Sequence, residues 1–205
     1  MENPPRAQGT ISARELIAIL SPTRRPPTYG QVFQSEAEVQ RQLEALRRWA
    51  ERSGRIIDDE WAADLRAGVE GGGEEHFVYF AQGAEFVVKE TRPDSWASGA
   101  TAAQYFARWD DVGKLWPKLE AEVIGISGKS IWTRQKFVDG DNYIDRAEFE
   151  ADMAKAGWDK TGLNRFRHAA TGAEIRDAKP SNVIRGRDGT PWPIDVIVDS
   201  TGSIS

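Results

Sequence analysis

Four side chains in the last third of the sequence have the types and spacing that moving a phosphoryl group requires. Residues 175–182 read IRDAKPSN, so Asp177 is followed by Lys179 two positions on and by Asn182 five positions on. A second carboxylate, Asp195, stands 18 residues after Asp177. In such a set one carboxylate accepts or orients the proton of an attacking hydroxyl, and a lysine neutralises the group in transit. An amide oxygen and a further carboxylate can together hold Mg²⁺. Between them lies Asp188-Gly189, a two-residue hairpin signal flanked by the β-rich stretches 182–185 and 192–194. A hairpin there carries Asp195 back beside Asn182, where the two can share a metal.

A second group of residues lies upstream. The glycines Gly71, Gly72 and Gly73 precede a β-rich run at 76–80, a turn at Gln82-Gly83 and the segment EFVVKE at 85–90, which contains Lys89. This reads as a glycine-rich loop feeding a β-hairpin.

Taken together, these segments resemble known sequences. IRDAKPSN resembles the HRDLKPEN catalytic loop of protein kinases, with Ile175 in place of the histidine. PIDVI resembles the place of the DFG motif, with Asp195 as the metal-binding aspartate. FVVKE resembles the VAIK motif on the third strand, and the Gly71–Gly73 run the glycine-rich loop. More narrowly, GGGEEHFVYF, VVKET, IWTRQKFVDG and DAKPSN resemble the kinase-like domain of polyvalent proteins from phages and mobile elements, over residues 40–200.

The resemblance implies ATP and Mg²⁺ as cofactors. It implies Asp177 and Lys179 as catalytic residues and Asn182 and Asp195 as metal ligands. Lys89 would meet the α- and β-phosphates as a point charge. Main-chain amides from Gly72 and Gly73 to His76 would cradle phosphate, since glycine lets the backbone approach closely. Gln135, Phe137 and Val138 would lie at a hinge and offer backbone groups to adenine.

Four features depart from that pattern. The glycine run is GGGEEH rather than GxGxxG. The Phe-Gly after Asp195 is replaced by Val-Ile. No glutamate lies between Thr91 and Lys118 to pair with Lys89, which leaves Gln104, Asp110, Asp111, Glu120 and Glu122 as stand-ins. Ten residues follow Asp195, too few for a protein-docking lobe.

Around these motifs the elements must be placed. A short helix is expected over 12–20, and 21–30, with three prolines, reads as a connector. Val39, Leu43, Leu46 and Trp49 share one face of a helix over 35–52, with Ser35 as a cap. Trp61 and Leu65 fit a further turn or two. Helices are expected at 97–109 and 146–156, and a hairpin around Gly128-Lys129 joins 123–126 to 130–137. The tryptophans Trp109, Trp116, Trp132 and Trp192 read as core, and His168 as a strand residue.

The 205 residues carry a net charge of -5, which argues against nucleic acid as a partner. Without cysteine there is no disulfide or thiolate site, and two histidines make a His-rich zinc site improbable. The N-terminus lacks an apolar signal core and no apolar run reaches membrane-spanning length, so a cytoplasmic protein without membrane contact is expected.

The fold class expected is α+β, a two-lobed protein-kinase-like fold. It would comprise a helical N-terminal extension (1–69), an N-lobe with a small antiparallel sheet and hinge (70–138) and a truncated C-lobe (139–205). The function expected is Mg-ATP-dependent phosphoryl transfer to a hydroxyl, on Ser, Thr or Tyr of a protein substrate or partner. The alternatives are a nucleotide-binding pseudokinase acting as an interaction module, a small-molecule phosphotransferase of the aminoglycoside-kinase type, and a purely structural module from a mobile element. Hydroxyls of the tail (Ser200, Thr201, Ser203) are candidates for autophosphorylation.

Overall fold

The apolar spacing of Leu43, Leu46 and Trp49 becomes the inner face of an 18-residue helix, and the alternation around Lys89 becomes a central strand. The structure, a computed structural model, describes residues 11–20, 36–67, 71–72, 76–80, 84–91, 101–128 and 130–199. It is α+β, and the chain divides into two compact units after Phe137. The 21–30 connector, the Ser35 cap, the Gln82-Gly83 turn, Gly73, the start of the 97–109 helix and the tail hydroxyls lie outside the described residues.

The first unit runs through β1 (Ile11–Ser12), α1 (Ala13–Leu20), α2 (Glu36–Ser53), α3 (Asp59–Ala67), β2 (Gly71–Gly72), β3 (His76–Tyr79) and β4 (Phe86–Thr91). It continues with α4 (Ala102–Leu115), a 3-10 turn at Pro117–Leu119, β5 (Glu122–Ser127) and β6 (Ser130–Lys136). Its six strands form one antiparallel sheet in the order β1-β5-β6-β4-β3-β2. Period-two alternation sends successive side chains to opposite faces. Ile131 faces Leu16, Leu20, Leu46, Tyr105, Phe106 and Trp109 of α1, α2 and α4. Its neighbour Trp132 faces Ala62 and Leu65 of α3. Within this unit β1 pairs with β5, and α1 and α2 of the N-terminal stretch share a core with α4.

A bulge between Val123 and Gly125 shifts the β5–β6 register. It leaves carbonyls to satisfy, and the buried guanidinium of Arg55 donates to Val123 O (3.1 Å) and Ile124 O (3.3 Å). Gly125 has to be glycine, because a Cβ there would overlap the Arg55 carbonyl oxygen. α4 starts with a capping box in which the Thr101 hydroxyl accepts from Gln104 N and Gln104 Oε1 accepts from Thr101 N.

The second unit carries β7 (Gly140–Asn142), α5 (Arg146–Lys155), β8 (Trp158–Gly162), β9 (Arg165–His168), β10 (Glu174–Arg176), β11 (Val183–Gly186), β12 (Pro191–Pro193) and β13 (Ile197–Asp199). Two antiparallel sheets result, in the orders β13-β10-β9-β8 and β12-β11-β7. The expected hairpin at Asp188-Gly189 is present as β11–β12, with Gly189 at φ 80°. The strand β8 has no forerunner in the sequence reading, because Asp159, Lys160 and Thr161 are all exposed and leave no apolar alternation. Phe149 and Met153 of α5 are buried, as their spacing predicts, with Phe166, Ile175, Val183 and Val196. Tyr143, Phe149 and Phe166 meet edge to face. No helix among the described residues is long and apolar enough to cross a membrane.

Candidate functional site

The loop 177–182 is built by its backbone. Arg176, the last residue of β10, pairs with Ile197 of β13. Asp177 therefore leaves one end of this ladder just where Asp195, two residues before Ile197, enters it. Asp177 adopts φ 55°, in the left-handed region that Asp and Asn tolerate better than other side chains. Pro180 opens a 3-10 turn at Pro180–Asn182 and holds Lys179 in an extended conformation at φ -95°, ψ 160°. Ala178, fully buried, anchors the loop below, and its N–H donates to Asn164 O at 3.0 Å.

Asn182 closes the loop. Its Nδ2 donates to Asp177 O at 2.9 Å and to Asp177 Oδ2 at 3.1 Å. A main-chain carbonyl can only accept, so the atom beside it must be the amide nitrogen, which fixes the orientation of the amide. The Oδ1 atom is thereby turned away from Asp177, with the Ser181 hydroxyl at 3.5 Å. The Asn182 carbonyl in turn accepts from Ile194 N (2.9 Å) and Asp195 N (3.3 Å). Asn182 is thus tied directly to both carboxylate positions, although it is only 8% exposed. Asp177 is half exposed, and Lys179 Nζ lies 4.0 Å from its Oδ1.

An amide oxygen from Asn182 and the carboxylate of Asp195 are hard oxygen donors of the type Mg²⁺ takes. That ion needs only one or two protein ligands when phosphates and water complete its shell, so the donor set fits. Among the described residues no group of three or more His, Asp or Glu could hold a metal by itself.

In the first unit Lys89 sits in the middle of β4, paired with Val78 on one side and Thr133 on the other. It is 6% exposed, and its Nζ lies 4.6 Å from the centroid of the Trp109 ring on α4. Four of the five residues considered as acid stand-ins have other roles. Gln104 belongs to the capping box, Asp110 pairs with Arg14 and Lys114, Asp111 with Lys114, and Glu122 with Arg134. Glu120 is exposed beyond the end of α4.

On the opposite face, Glu90 accepts from Arg66 (2.5 Å) and from the Tyr79 hydroxyl (2.8 Å). Burial pushes the Glu90 carboxyl up, but Arg66, Tyr79 and Ser130 together outweigh it and hold it below the usual carboxylate range. Burial and the Glu90 carboxylate push the Tyr79 phenol well up.

Several expected contacts take a different form. Gly71 and Gly72 are not loop but the strand β2, paired with Val78 and Phe77, since residues without side chains can serve as an edge strand beside β3. Gly73 falls outside the described residues. His76 is buried and its Nε2 meets the Tyr105 hydroxyl at 3.0 Å, so its side chain belongs to the packing between sheet and α4. Gln135 is interior to β6, opposite Val87, and its amide donates to Leu119 O at 2.5 Å. The Phe137 N–H donates to Glu85 O at 2.9 Å, extending the ladder by one bond, so that amide is not available to a ligand. Val138 begins the second unit and is buried.

Trp109 and Trp132 are core residues as expected, whereas Trp116 and Trp192 are only partly buried. His168 rests against Trp158 at 4.9 Å. Two contacts escaped the sequence reading. Trp109 is 20 positions from Lys89, and only the pairing of helix and strand brings them together. Asn164, at φ 56°, is the residue whose carbonyl holds Ala178; the turn-favouring Leu-Asn-Arg step after Gly162 was its one local signal. In comparisons with protein-family models, curated proteins and solved structures, nothing matches this chain.

Proposed function

We propose that this protein is a kinase-like phosphotransferase that uses Mg-ATP to phosphorylate a hydroxyl, with Ser, Thr or Tyr of a protein as the acceptor class. The observation that carries the reading is the Asn182 amide. The side-chain nitrogen of Asn182 is committed to Asp177 and its main-chain carbonyl to Asp195 N, so one residue ties together an orienting carboxylate and a metal-binding one. Phosphoryl transfer relies on positioning and charge stabilisation rather than covalent chemistry, and this loop is a positioning device.

The strand plan supports the same reading. Counted from the glycine pair, Lys89 is on the third strand of an antiparallel sheet, and a helix, α4, follows before the next strand. Protein kinases place their phosphate-binding lysine on the third strand and face it with the next helix. In this reading Asp177 orients the acceptor hydroxyl, and Lys179 balances the charge of the transferred group. Asn182 and Asp195 would hold Mg²⁺, which would supply positive charge against the phosphates. Lys89 binds the phosphate chain. Gly72 on β2 and His76 on β3 would contribute main-chain amides, and the sequence assigns Gly73 the same role.

Calorimetric titration of Mg-ATP into wild type and Asp195→Ala tests the proposal, followed by transfer of labelled phosphate in the same samples. The expected result is binding that requires Mg²⁺, is lost in Asp195→Ala, and leads to transfer. Absence of binding to wild type would overturn the reading. Binding without transfer to any acceptor would convert it to a nucleotide-binding interaction module.

A further inference from the structure

We infer that Leu163 and Ile144, on the two flanks of the loop 177–182, are anchors for the acceptor. They select a protein segment with apolar side chains beside its hydroxyl, and Arg165 selects a carboxylate close by. The inference rests on the proposed phosphotransfer reading and deepens it by naming what the acceptor segment must carry.

Leu163 and Asn164 are the two turn residues that join β8 to β9, with Gly162 and Arg165 paired on either side of them. The Ala178 N–H donates to Asn164 O, so this turn lies against the start of the loop. Ile144 comes to the other end. Asn142 pairs with Ile184, and Ile144 and Asn182 stand two positions beyond that pair, where β7 touches the Pro180–Asn182 turn. The two flanks are tied to each other, because Arg146 Nη2, at the start of α5, donates to Asn164 Oδ1 at 3.1 Å. A short path from Ile144 through Arg146 and Asn164 to Leu163 thus holds both flanks around Asp177.

Both side chains are left in water. Ile144 is 100% and Leu163 77% exposed, the two highest values for large apolar residues among the described ones. Apolar residues scattered singly over a surface need no explanation. These two flank the one loop that carries the candidate carboxylate, and neither serves the fold in the usual way. Leu163 fills a turn position that polar residues ordinarily take. Ile144 precedes the Asp145 cap of α5, a place from which an apolar side chain often staples onto the fourth helical residue, here Phe149. Fully exposed, Ile144 makes no such contact.

The occupant follows from the chemistry. An acceptor hydroxyl oriented by Asp177 belongs to a chain that crosses the loop, and an extended chain advances about 3.3 Å per residue. Its residues beside the hydroxyl therefore pass over the flanks, and apolar side chains there remove apolar surface from water. Charge adds a second mark. On the exposed face of β9 and β10, Arg167 donates to Glu174 across the ladder and Arg176 donates to Asp199. Arg165, on the same face of β9 beside the turn, stands opposite Gly162, which offers it no side chain. Its guanidinium is placed for a carboxylate of the incoming segment.

Peptide libraries with Ser, Thr or Tyr fixed at the centre and each neighbouring position varied in turn test this. They are offered with labelled Mg-ATP to wild type, Leu163→Ser, Ile144→Ser and Arg165→Glu, and Mg-ATP binding is measured on the same samples by calorimetry. Wild type is expected to prefer Leu, Ile, Val or Phe within about two positions of the hydroxyl, and Asp or Glu over Lys or Arg nearby. The best peptide is then compared with a counterpart whose apolar positions are Ser. Each Ser variant is expected to raise KM for the apolar peptide by roughly tenfold, the scale of one partly buried Leu or Ile side chain, with little change for the counterpart. A merely structural role would slow both peptides alike through kcat. Arg165→Glu is expected to reverse the charge preference, so that Lys in place of the acidic residue restores transfer.

Transfer without preference for apolar neighbours overturns the inference and leaves the phosphotransfer reading standing. So does a preference that survives both Ser variants. Binding of Mg-ATP with transfer to no peptide also overturns the inference. A wild type that binds no Mg-ATP overturns the reading itself, and the inference with it.

Discussion

Lys89 and Asp177 illustrate two ways of fixing a polar side chain. Lys89 is held by its surroundings: it stands on a central strand, flanked by ladders on both sides, with an aromatic ring from α4 against its ammonium. Asp177 is held by its own backbone: its carboxylate is half exposed, while a left-handed φ, the Pro180 turn and the Asn182 amide dictate where it starts. The first arrangement depends on the whole core of its unit, whereas the second depends on a handful of local bonds. Damage to the core should therefore appear as lost stability in the first unit, and damage to the loop as lost activity with stability nearly intact.

The sharpest test is Asp177→Asn. Asparagine tolerates the same backbone and keeps the shape, so only the carboxylate goes. Transfer of labelled phosphate is expected to fall by about 10²–10⁴-fold, the range for losing a positioned general base. The denaturant midpoint should stay within about 0.5 kcal/mol of wild type, as for a surface change away from packing. An equal loss of stability would break the contrast.

Asn182→Asp comes next. It keeps an oxygen for a metal but removes both donations to Asp177 and sets one carboxylate against another. Transfer is expected to fall by about tenfold to a hundredfold, the worth of two hydrogen bonds to a charged or main-chain acceptor. The Mg²⁺ concentration giving half-maximal rate should shift by much less, and steady-state rates over a Mg²⁺ series check this.

Gly140→Ala asks whether the second unit also has positions that are purely structural. A Cβ there would overlap the Arg185 carbonyl oxygen across the β7–β11 ladder. The expected cost is about 1–3 kcal/mol, from overpacking, read as a shift in the urea midpoint.

The smallest effect concerns acid stability of the first unit. Glu90 is held below the usual carboxylate range by Arg66, Tyr79 and Ser130 against the opposing effect of burial, and Glu38 is pushed down to about 2 by hydrogen bonds from Arg41 and Gln42. Carboxyls with depressed values stabilise the fold above their unfolded value of 4.5, and that contribution is lost as pH falls through the folded value. Stability should therefore decline below pH 4.5, with the Glu38 share lost down toward pH 2. Glu90→Gln should flatten part of that slope and cost about 1–2 kcal/mol at neutral pH, as urea melts at several pH values would show.

How much of this was legible in the sequence follows from the range of the interactions. Period and turn chemistry are local, so α2, α5, the β5–β6 hairpin and the β11–β12 hairpin can be read from a few residues each. Asp177, Asn182 and Asp195 are close in sequence and joined by a hairpin, so their gathering at one ladder end could be argued from spacing alone. The Lys89–Trp109 contact could not, because 20 residues and a choice of helix position intervene. Nor could the commitment of the Phe137 amide to Glu85, which depends on how far a ladder extends. The polar strand β8 gave no alternation to read.

The outer side of β5 is closed twice, by Ile11 and Ser12 of β1 at one end and by the Arg55–Ile57 segment, hydrogen-bonded to Ile126, at the other. Both covers come from the part of the chain that precedes β2, and neither contributes a side chain to the candidate site. They act instead as shields against self-association. An open β5 would present unpaired N–H and C=O groups beside apolar Val123, Ile124 and Ile126, the kind of edge on which another molecule can add a strand. Trimming the first twelve residues would therefore leave the lysine and the loop 177–182 chemically unaltered and make the protein prone to aggregate through that edge.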